Sequence, residues 1–394
     1  MKFFNMNLKH ALLITFALPF YLVSCAQEVK TQVSTQDTAE VKEQINYSLD
    51  DFFSKDAELE RRVKATLSRL TPSQRVAQLI MPAVGRYGQE KKLIERLVKE
   101  GKIGGVLMLN GSKTEFTNWI SEFNALNDSL NQLPFLYSAD AEPSLINRKI
   151  TGTPAVQKAN TLKTKKEVIA CAKAISKELN DIGINYNFAP VVDMSPNKTV
   201  GWRSFGHEPD SVINWSSAFI TETQEHNILA TAKHFPGHGF VTGDTHKKLV
   251  YIDGELKEIE NYPPLIKAGT MSIMIAHIAI KNNTKFNTND MPSSISEKIV
   301  TTLLRDSLKF EGLVVTDAMN MGGVSFIKNA NTKAIEAGCD ILLMPLNAEK
   351  AHQELLEKYT LDEAFRIKVD LAASRVVRAK YAAGLFNGES LMNK

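Results

Sequence analysis

Three cysteines in 394 residues are too few for a disulfide framework. No apolar run reaches the roughly 18 residues of a spanning helix, so multi-span membrane classes are excluded. A dominant charge sign is also missing: 47 basic and 44 acidic side chains leave a net +3. No region carries the dense Lys/Arg footprint of a nucleic-acid partner. Neither G-x-G-x-x-G nor G-x-x-x-x-G-K-[ST] occurs, so the two glycine-rich phosphate turns are absent. What is present is 43% hydrophobic and 23% charged, an ordinary globular composition. The length suits one large domain or two mid-sized ones.

The first residues stand apart. Lys2 and Lys9 lead into the apolar run Ala11 to Phe20, too short to span a bilayer, and residues 1–24 read as a secretory signal peptide. The segment ends in Leu22-Val23-Ser24-Cys25, which resembles the bacterial lipobox. That resemblance implies Cys25 as the acylated first residue of a lipoprotein, held at the cell envelope by lipid. The expected place is the periplasmic side of either membrane, or the cell surface. Residues 25–48 are polar without an apolar period, and read as a flexible tether with a reach of roughly 25 Å. A single folded domain is then expected over 49–394. Cys171 and Cys339 lie in apolar runs and read as buried core thiols.

From about residue 60, short apolar runs alternate with helical patterns, the signature of βα units around a parallel sheet. The strand candidates are Gln78 to Val84, Ile103 to Leu109, Phe135 to Asp140 and Ile184 to Val192, then Ile228 to His234, Ser272 to His277, Gly312 to Asp317 and Asp340 to Pro345. Amphipathic stretches between them include Lys165 to Leu179, Pro209 to His226 and Ser296 to Leu308. Eight parallel strands with intervening helices predict an α/β fold of the (β/α)8 barrel type. An open doubly wound sheet also alternates, but usually has fewer strands and a glycine-rich phosphate turn.

Polar residues fall at corresponding places. Asp140, Asp193, Lys233-His234, His277 and Asp317 all sit at the C-terminal ends of their runs. In a barrel those ends share one face, so distant residues converge on one pocket.

Three stretches go beyond pattern. They are Lys233-His234-Phe235-Pro236-Gly237-His238-Gly239 continuing to Gly243-Asp244-Thr245-His246, then Asn187-Phe188-Ala189-Pro190-Val191-Val192-Asp193 followed by Gly201-Trp202-Arg203-Ser204-Phe205-Gly206, and Gly312-Leu313-Val314-Val315-Thr316-Asp317-Ala318-Met319-Asn320-Met321. Together they resemble glycoside hydrolase family 3, in its β-N-acetylhexosaminidase branch, over most of residues 65–390. The resemblance implies a barrel, retention of anomeric configuration and hydrolysis of terminal β-linked N-acetylglucosamine. It implies no metal or organic cofactor. Residue by residue, Asp317 matches the catalytic nucleophile, His246 the general acid/base and Asp244 its dyad partner. Lys233, His234 and Arg203 match residues that hold the sugar hydroxyls. Asp140 matches the acid of the family's D-x-E-G-G-R-V-x-R segment, and Arg148 falls on its final Arg. A carbohydrate is thus the expected substrate, with no nucleic-acid partner and a monomeric enzyme. For an exported enzyme, cell-wall fragments or related oligosaccharides are the expected source.

The chemistry suits the residue types. A retaining glycosidase needs one carboxylate to attack the anomeric carbon and one group to deliver and then remove a proton. A strand end gives Asp317 the rigidity of a nucleophile. A histidine exchanges protons near neutral pH, and an aspartate two residues away orients it and stabilises its charged form. Gly237, Gly239 and Gly243 make the loop pliable enough to close on a bound sugar. The competing readings are a helix N-cap for Asp317 and a surface-loop histidine for His246. His277 and His238 stay off the site, and Asp193 is expected in a structural ion pair with Arg203 below the pocket.

The sequence departs from the family at Asp140-Ala141-Glu142-Pro143-Ser144-Leu145-Ile146-Asn147-Arg148, where Pro143 and Ser144 replace both glycines and Leu145 replaces the first Arg. The backbone there must differ, which bears on Arg148 more than on Asp140. Three rivals remain: a metal-dependent barrel hydrolase using His234, His238, His246, His277 and Asp193, a non-catalytic sugar-binding lipoprotein, and a phosphorylase using the same residues.

Overall fold

Parallel strands buried on both faces read as continuous apolar runs, and each of the eight runs contains a strand. In the computed structural model, residues 46–143, 145–194 and 200–386 are described. The strands are β1 (Ile80–Met81, resuming after Pro82 as Ala83–Val84), β2 (Gly105–Met108), β3 (Leu136–Ala139), β4 (Tyr186–Asn187), β5 (Leu229–Phe235), β6 (Ser272–Ile275), β7 (Leu313–Thr316) and β8 (Leu342–Leu343). Ala83–Val84 pairs with β2, and the pairing continues in parallel from each strand to the next as far as β7. Ile341, beside β8, bridges Val315 of β7, and β8 pairs with Ile80–Met81. The ring of partners closes, so the chain forms the expected (β/α)8 barrel.

Proline cuts into two of the strands. Pro190 brings no N–H to the ladder, so β4 stops at Asn187 and only Val191 bridges onward to Lys233. Pro82 interrupts β1 in the same way, although its carbonyl still accepts from Leu107 N–H at 2.9 Å.

Helices α1 (Lys91–Lys99), α2 (Lys113–Ser129), α3 (Lys165–Ile182), α4 (Pro209–Glu225), α5 (Tyr262–Lys267), α6 (Lys298–Ser307), α7 (Ala330–Ala337) and α8 (Ala348–Leu361) follow their strands, and α9 (Glu363–Ala382) closes the chain. Their ends have local causes. Ser112 with Glu115, and Thr164 with Glu167, form capping boxes that start α2 and α3. Gly183, at φ 94°, ends α3. The stretch expected as an ordinary amphipathic helix, α6, is π-helical: its last turn closes with Leu308 N–H on the Leu303 carbonyl.

Two apolar layers hold the barrel. One lies between strands and helices, and the other fills the barrel interior with Leu107, Leu136, Leu229 and Leu313. Leu49 and Phe52, together with Val376 and Ala379 of α9, join that inner cluster and plug the floor. Tyr47 packs edge-on against Tyr381, with ring centroids 6.3 Å apart, so the end of the stretch read as tether already belongs to the body. The signal segment 1–24, Cys25 and the tether to residue 45 lie outside the described residues. Cys171 and Cys339 are buried thiols, and burial pushes Cys171 up to about 12. No helix among the described residues is long and apolar enough to cross a membrane.

Candidate active site

A cavity of about 470 Å³ opens at the C-terminal ends of the strands. Asp140, Arg203, Lys233, His234, His246 and Asp317 all line it, which brings together five separate places in the chain.

Asp317 follows β7 directly. Its own N–H donates to Ile275 O at 2.9 Å and its Oδ1 accepts from Ala318 N–H at 2.8 Å, so both backbone and carboxylate are placed by neighbours in the barrel. Burial raises the carboxyl pKa, but the imidazoles of His234 and His277 and the Ala318 N–H outweigh it and hold the group below the usual carboxylate range. Asp317 is therefore an anion at neutral pH, as a nucleophile requires.

His246 stands on the loop after β5 with its side chain 64% exposed, and its Nδ1 meets Asp244 Oδ1 at 2.7 Å. The same oxygen accepts from His246 N–H at 3.0 Å, so Asp244 sets both the ring and the backbone. This bond assigns the Nδ1 proton and leaves Nε2 for exchange with a ligand. Burial pushes the Asp244 carboxyl up, and the His246 contacts bring it down below its ordinary value. Asp244 does not itself line the cavity; it acts through His246.

The opposite wall is an ion network. Lys233 Nζ lies 2.9 Å from Asp140 Oδ1 and 2.6 Å from Glu142 Oε1. Arg203 grips Glu142 with two bonds, at 2.8 and 2.6 Å. Burial raises the Glu142 carboxyl, and Arg203 and Lys233 overcome it, bringing it down to about 2. Two carboxylates and two cations thus stay charged inside a small volume. The polar groups of this wall match what sugar hydroxyls need, while Leu107, Leu109 and Met274 beneath offer an apolar floor.

The expected ion pair between Arg203 and Asp193 does not form. Arg203 turns to Glu142, and Asp193 spends its oxygens elsewhere: Oδ2 on His234 Nδ1 at 2.6 Å, and Oδ1 on the N–H groups of His234 and His238 at 3.1 and 2.8 Å. Asp193 therefore orients the two histidines from below. His238, expected off the site, lines the cavity; it is 3% exposed and its Nε2 lies 3.3 Å from Thr245 Oγ1, beside His246. His277 is buried between Ser294 Oγ (2.7 Å) and the Ala318 carbonyl (3.0 Å), behind the Asp317 segment. Among the described residues, no group of three or more His, Cys, Asp or Glu side chains converges as a metal site.

Arg148 lies outside the cavity lining, exposed, with its guanidinium 5.5 Å over the Trp202 ring. Sequence reasoning missed Glu142, Lys149 and Glu258. Glu142 had a signal, an acid two residues past a strand-end acid with two cations unaccounted for. Glu258 had none. It is 3% exposed, and its carboxylate accepts from Gly239 N–H at 2.8 Å and from Met194 N–H. A Cβ at Gly239 would lie 1.8 Å from the Met194 carbonyl, so only glycine lets the loop and the segment after β4 meet over Glu258.

The family model described as "Glycosyl hydrolase family 3 N terminal domain" matches residues 71–379. The chain belongs to glycosyl hydrolase family 3. The resemblance drawn from the three motifs is borne out. Among relatives of this family 3 chain, the beta-hexosaminidase A of Pseudoalteromonas piscicida is 32% identical over 322 residues, which is 70% of this chain and 54% of that protein. The chain thus spans about half the length of that relative. Among solved structures, a family 3 beta-N-acetylglucosaminidase from Paenibacillus sp. str. FPU-7 is 26% identical, with a TM-score of 0.74 over 81% of this chain and 64% of that one. The beta-N-acetylhexosaminidase from Beutenbergia cavernae DSM 12333 is 25% identical with a TM-score of 0.71, covering 79% of this chain and 98% of that one.

Proposed function

We propose that this chain is a retaining exo-β-N-acetylglucosaminidase. The observation that carries the reading is one cavity lined on one side by an ionised, rigidly placed Asp317 and an aspartate-oriented His246, and on the other by charged groups suited to sugar hydroxyls. The naming of the relatives supports the 2-acetamido sugar.

In the mechanism, an Asp317 carboxylate oxygen attacks the anomeric carbon while the protonated His246 gives its Nε2 proton to the departing glycosidic oxygen. The C–O bond to the aglycone breaks, and a glycosyl ester to Asp317 forms. Neutral His246 then takes a proton from water, whose oxygen attacks the same carbon and releases Asp317. Two inversions leave the β-configuration unchanged. Asp244 stabilises the imidazolium at each protonated stage. Asp140, Lys233, Arg203 and His234 hold the sugar so that the anomeric carbon meets Asp317 in a reactive geometry.

Placement narrows the substrate. With residues 1–24 as a signal peptide and Cys25 acylated, the enzyme works on the exported side of the envelope as a monomer, on terminal N-acetylglucosamine of peptidoglycan fragments or related oligosaccharides. Aryl β-glycosides with and without the 2-acetamido group, assayed with water and with phosphate as acceptors, test the reading. Hydrolysis confined to the N-acetylglucosaminide is the expected result. Faster turnover with phosphate makes the chain a phosphorylase, and no turnover of any glycoside leaves a binding protein.

A further inference from the structure

The short helix Ile146–Lys149 decides which cation enters the cavity. Successive residues turn by about 100°, so positions three or four apart share a face. Ile146 is 1% exposed and faces the core. Lys149, four residues after Leu145, lines the cavity with it. Arg148, about 100° away around the turn, packs over Trp202 and does not line the cavity.

A count of donors on the sugar-facing wall separates the cations. The three N–H groups of a lysine ammonium have no acceptor capacity of their own. Lys233 gives two of its three N–H groups to Asp140 and Glu142, at 2.9 and 2.6 Å, and keeps one. Arg203 commits two of its N–H groups to Glu142. Lys149 differs, because its Nζ stands 3.7 Å from Asp140 Oδ2, beyond hydrogen-bond length. An oxygen about 2.8 Å from each atom closes a triangle on that base, a normal hydrogen-bond distance on both sides. A sugar hydroxyl suits the gap, donating to the carboxylate and accepting from the ammonium.

We propose that Lys149, with Asp140, is the cationic half of a hydroxyl-binding pair for the non-reducing sugar, the place that motif alignment gives to Arg148. The inference rests on the reading of this cavity as a glycosidase site. It names the class of ligand group, a ring or exocyclic hydroxyl of the terminal sugar. It also accounts for the local sequence: Leu145 replaces one guanidinium, the other turns outward, and Lys149 supplies the charge that faces Asp140.

The test uses the full chain and three variants, Lys149→Met, Lys149→Arg and Arg148→Met, with an aryl N-acetylglucosaminide and its singly deoxygenated analogues. Losing a charge-assisted bond lowers kcat/KM by roughly 10- to 100-fold in Lys149→Met, mainly through KM. Lys149→Arg recovers most of the loss, and Arg148→Met stays within about twofold because it removes no cavity contact. The Lys149→Met penalty collapses on the one deoxy analogue that lacks the bridged hydroxyl, an effect a merely structural lysine does not produce. Loss in Arg148→Met with Lys149→Met unaffected overturns the proposal. So does a Lys149→Met penalty equal on every analogue. A wild-type chain that cleaves none of these glycosides overturns the glycosidase reading itself, and this proposal with it.

Discussion

The N–H of Gly322 donates a 3.0 Å hydrogen bond to the carbonyl oxygen of His246. Its neighbour Gly323 donates to Thr245 O at the same distance, so the segment after Asp317 is fastened to the segment carrying Asp244 and His246. Asp317 and His246 thus share one scaffold although β6 separates their strands.

That contact leaves no room for a side chain. A Cβ on Gly322 would lie 2.4 Å from the Lys247 carbonyl oxygen. Gly322→Ala is expected to displace His246 and lower kcat by roughly 10- to 100-fold on substrates with a basic leaving group. Substrates with an acidic leaving group, which depart without protonation, lose much less. A leaving-group series on the variant measures the difference, and an equal loss throughout would show that the nucleophile, not the acid, was displaced.

His246 and Asp244 are expected to behave as one unit. His246→Ala and Asp244→Ala each slow poor leaving groups, by up to roughly 10²–10⁴-fold. The double variant is expected to be little worse than His246→Ala, since groups that share one task are non-additive. Double-mutant kinetics check this. Additive losses would assign Asp244 a separate role.

Glu142 carries two cations at zero exposure. Glu142→Gln leaves Arg203 and Lys233 with one fewer carboxylate and is expected to cost about 3–5 kcal/mol of stability. Denaturant unfolding measures it. A variant as stable as the wild type would mean that Asp140 alone suffices for both cations.

Glu258 gives the fold a pH dependence of known sign. Burial and the nearby Asp193 charge push its carboxyl from 4.5 up to about 8, against the backbone N–H groups that pull it down. Between those values the folded chain holds a proton the unfolded chain has lost, so this group's contribution to stability falls as pH rises. Glu258→Gln is uncharged in both states. Its thermal midpoint is expected to fall less than the wild type's between about pH 5 and about pH 8. Parallel curves for the two proteins would remove Glu258 as the source.

Much of this was legible beforehand because burial on both faces leaves a strong mark. The eight apolar runs located the barrel, and the polar residues ending them located its mouth. Strand ends were less legible than strand places, and at Pro82 and Pro190 a missing donor breaks the ladder inside the run. Ion partners were illegible for a different reason. Arg203 had two acids within plausible reach, and the choice of Glu142 over Asp193 depends on His234 and His238 having already occupied Asp193. Arg148 and Lys149 are adjacent in sequence, yet Arg148 lies over Trp202 and Lys149 lines the cavity, so a one-residue question of phase decides which enters it. Glu258 acts on backbone N–H groups, which leave no trace in side-chain pattern.

The central claim is that Asp317 attacks the anomeric carbon, and trapping the ester tests it most directly. A fluorinated N-acetylglucosamine analogue that forms the intermediate quickly and hydrolyses it slowly is expected to add one glycosyl mass to the intact protein. Peptide mapping is expected to place that mass on the segment containing Thr316-Asp317-Ala318, and Asp317→Ala to abolish it. A label on Asp140 or Asp193, or a product of inverted configuration, would contradict the account. So would turnover without any label, because the substrate's own acetamido oxygen would then be the attacking group.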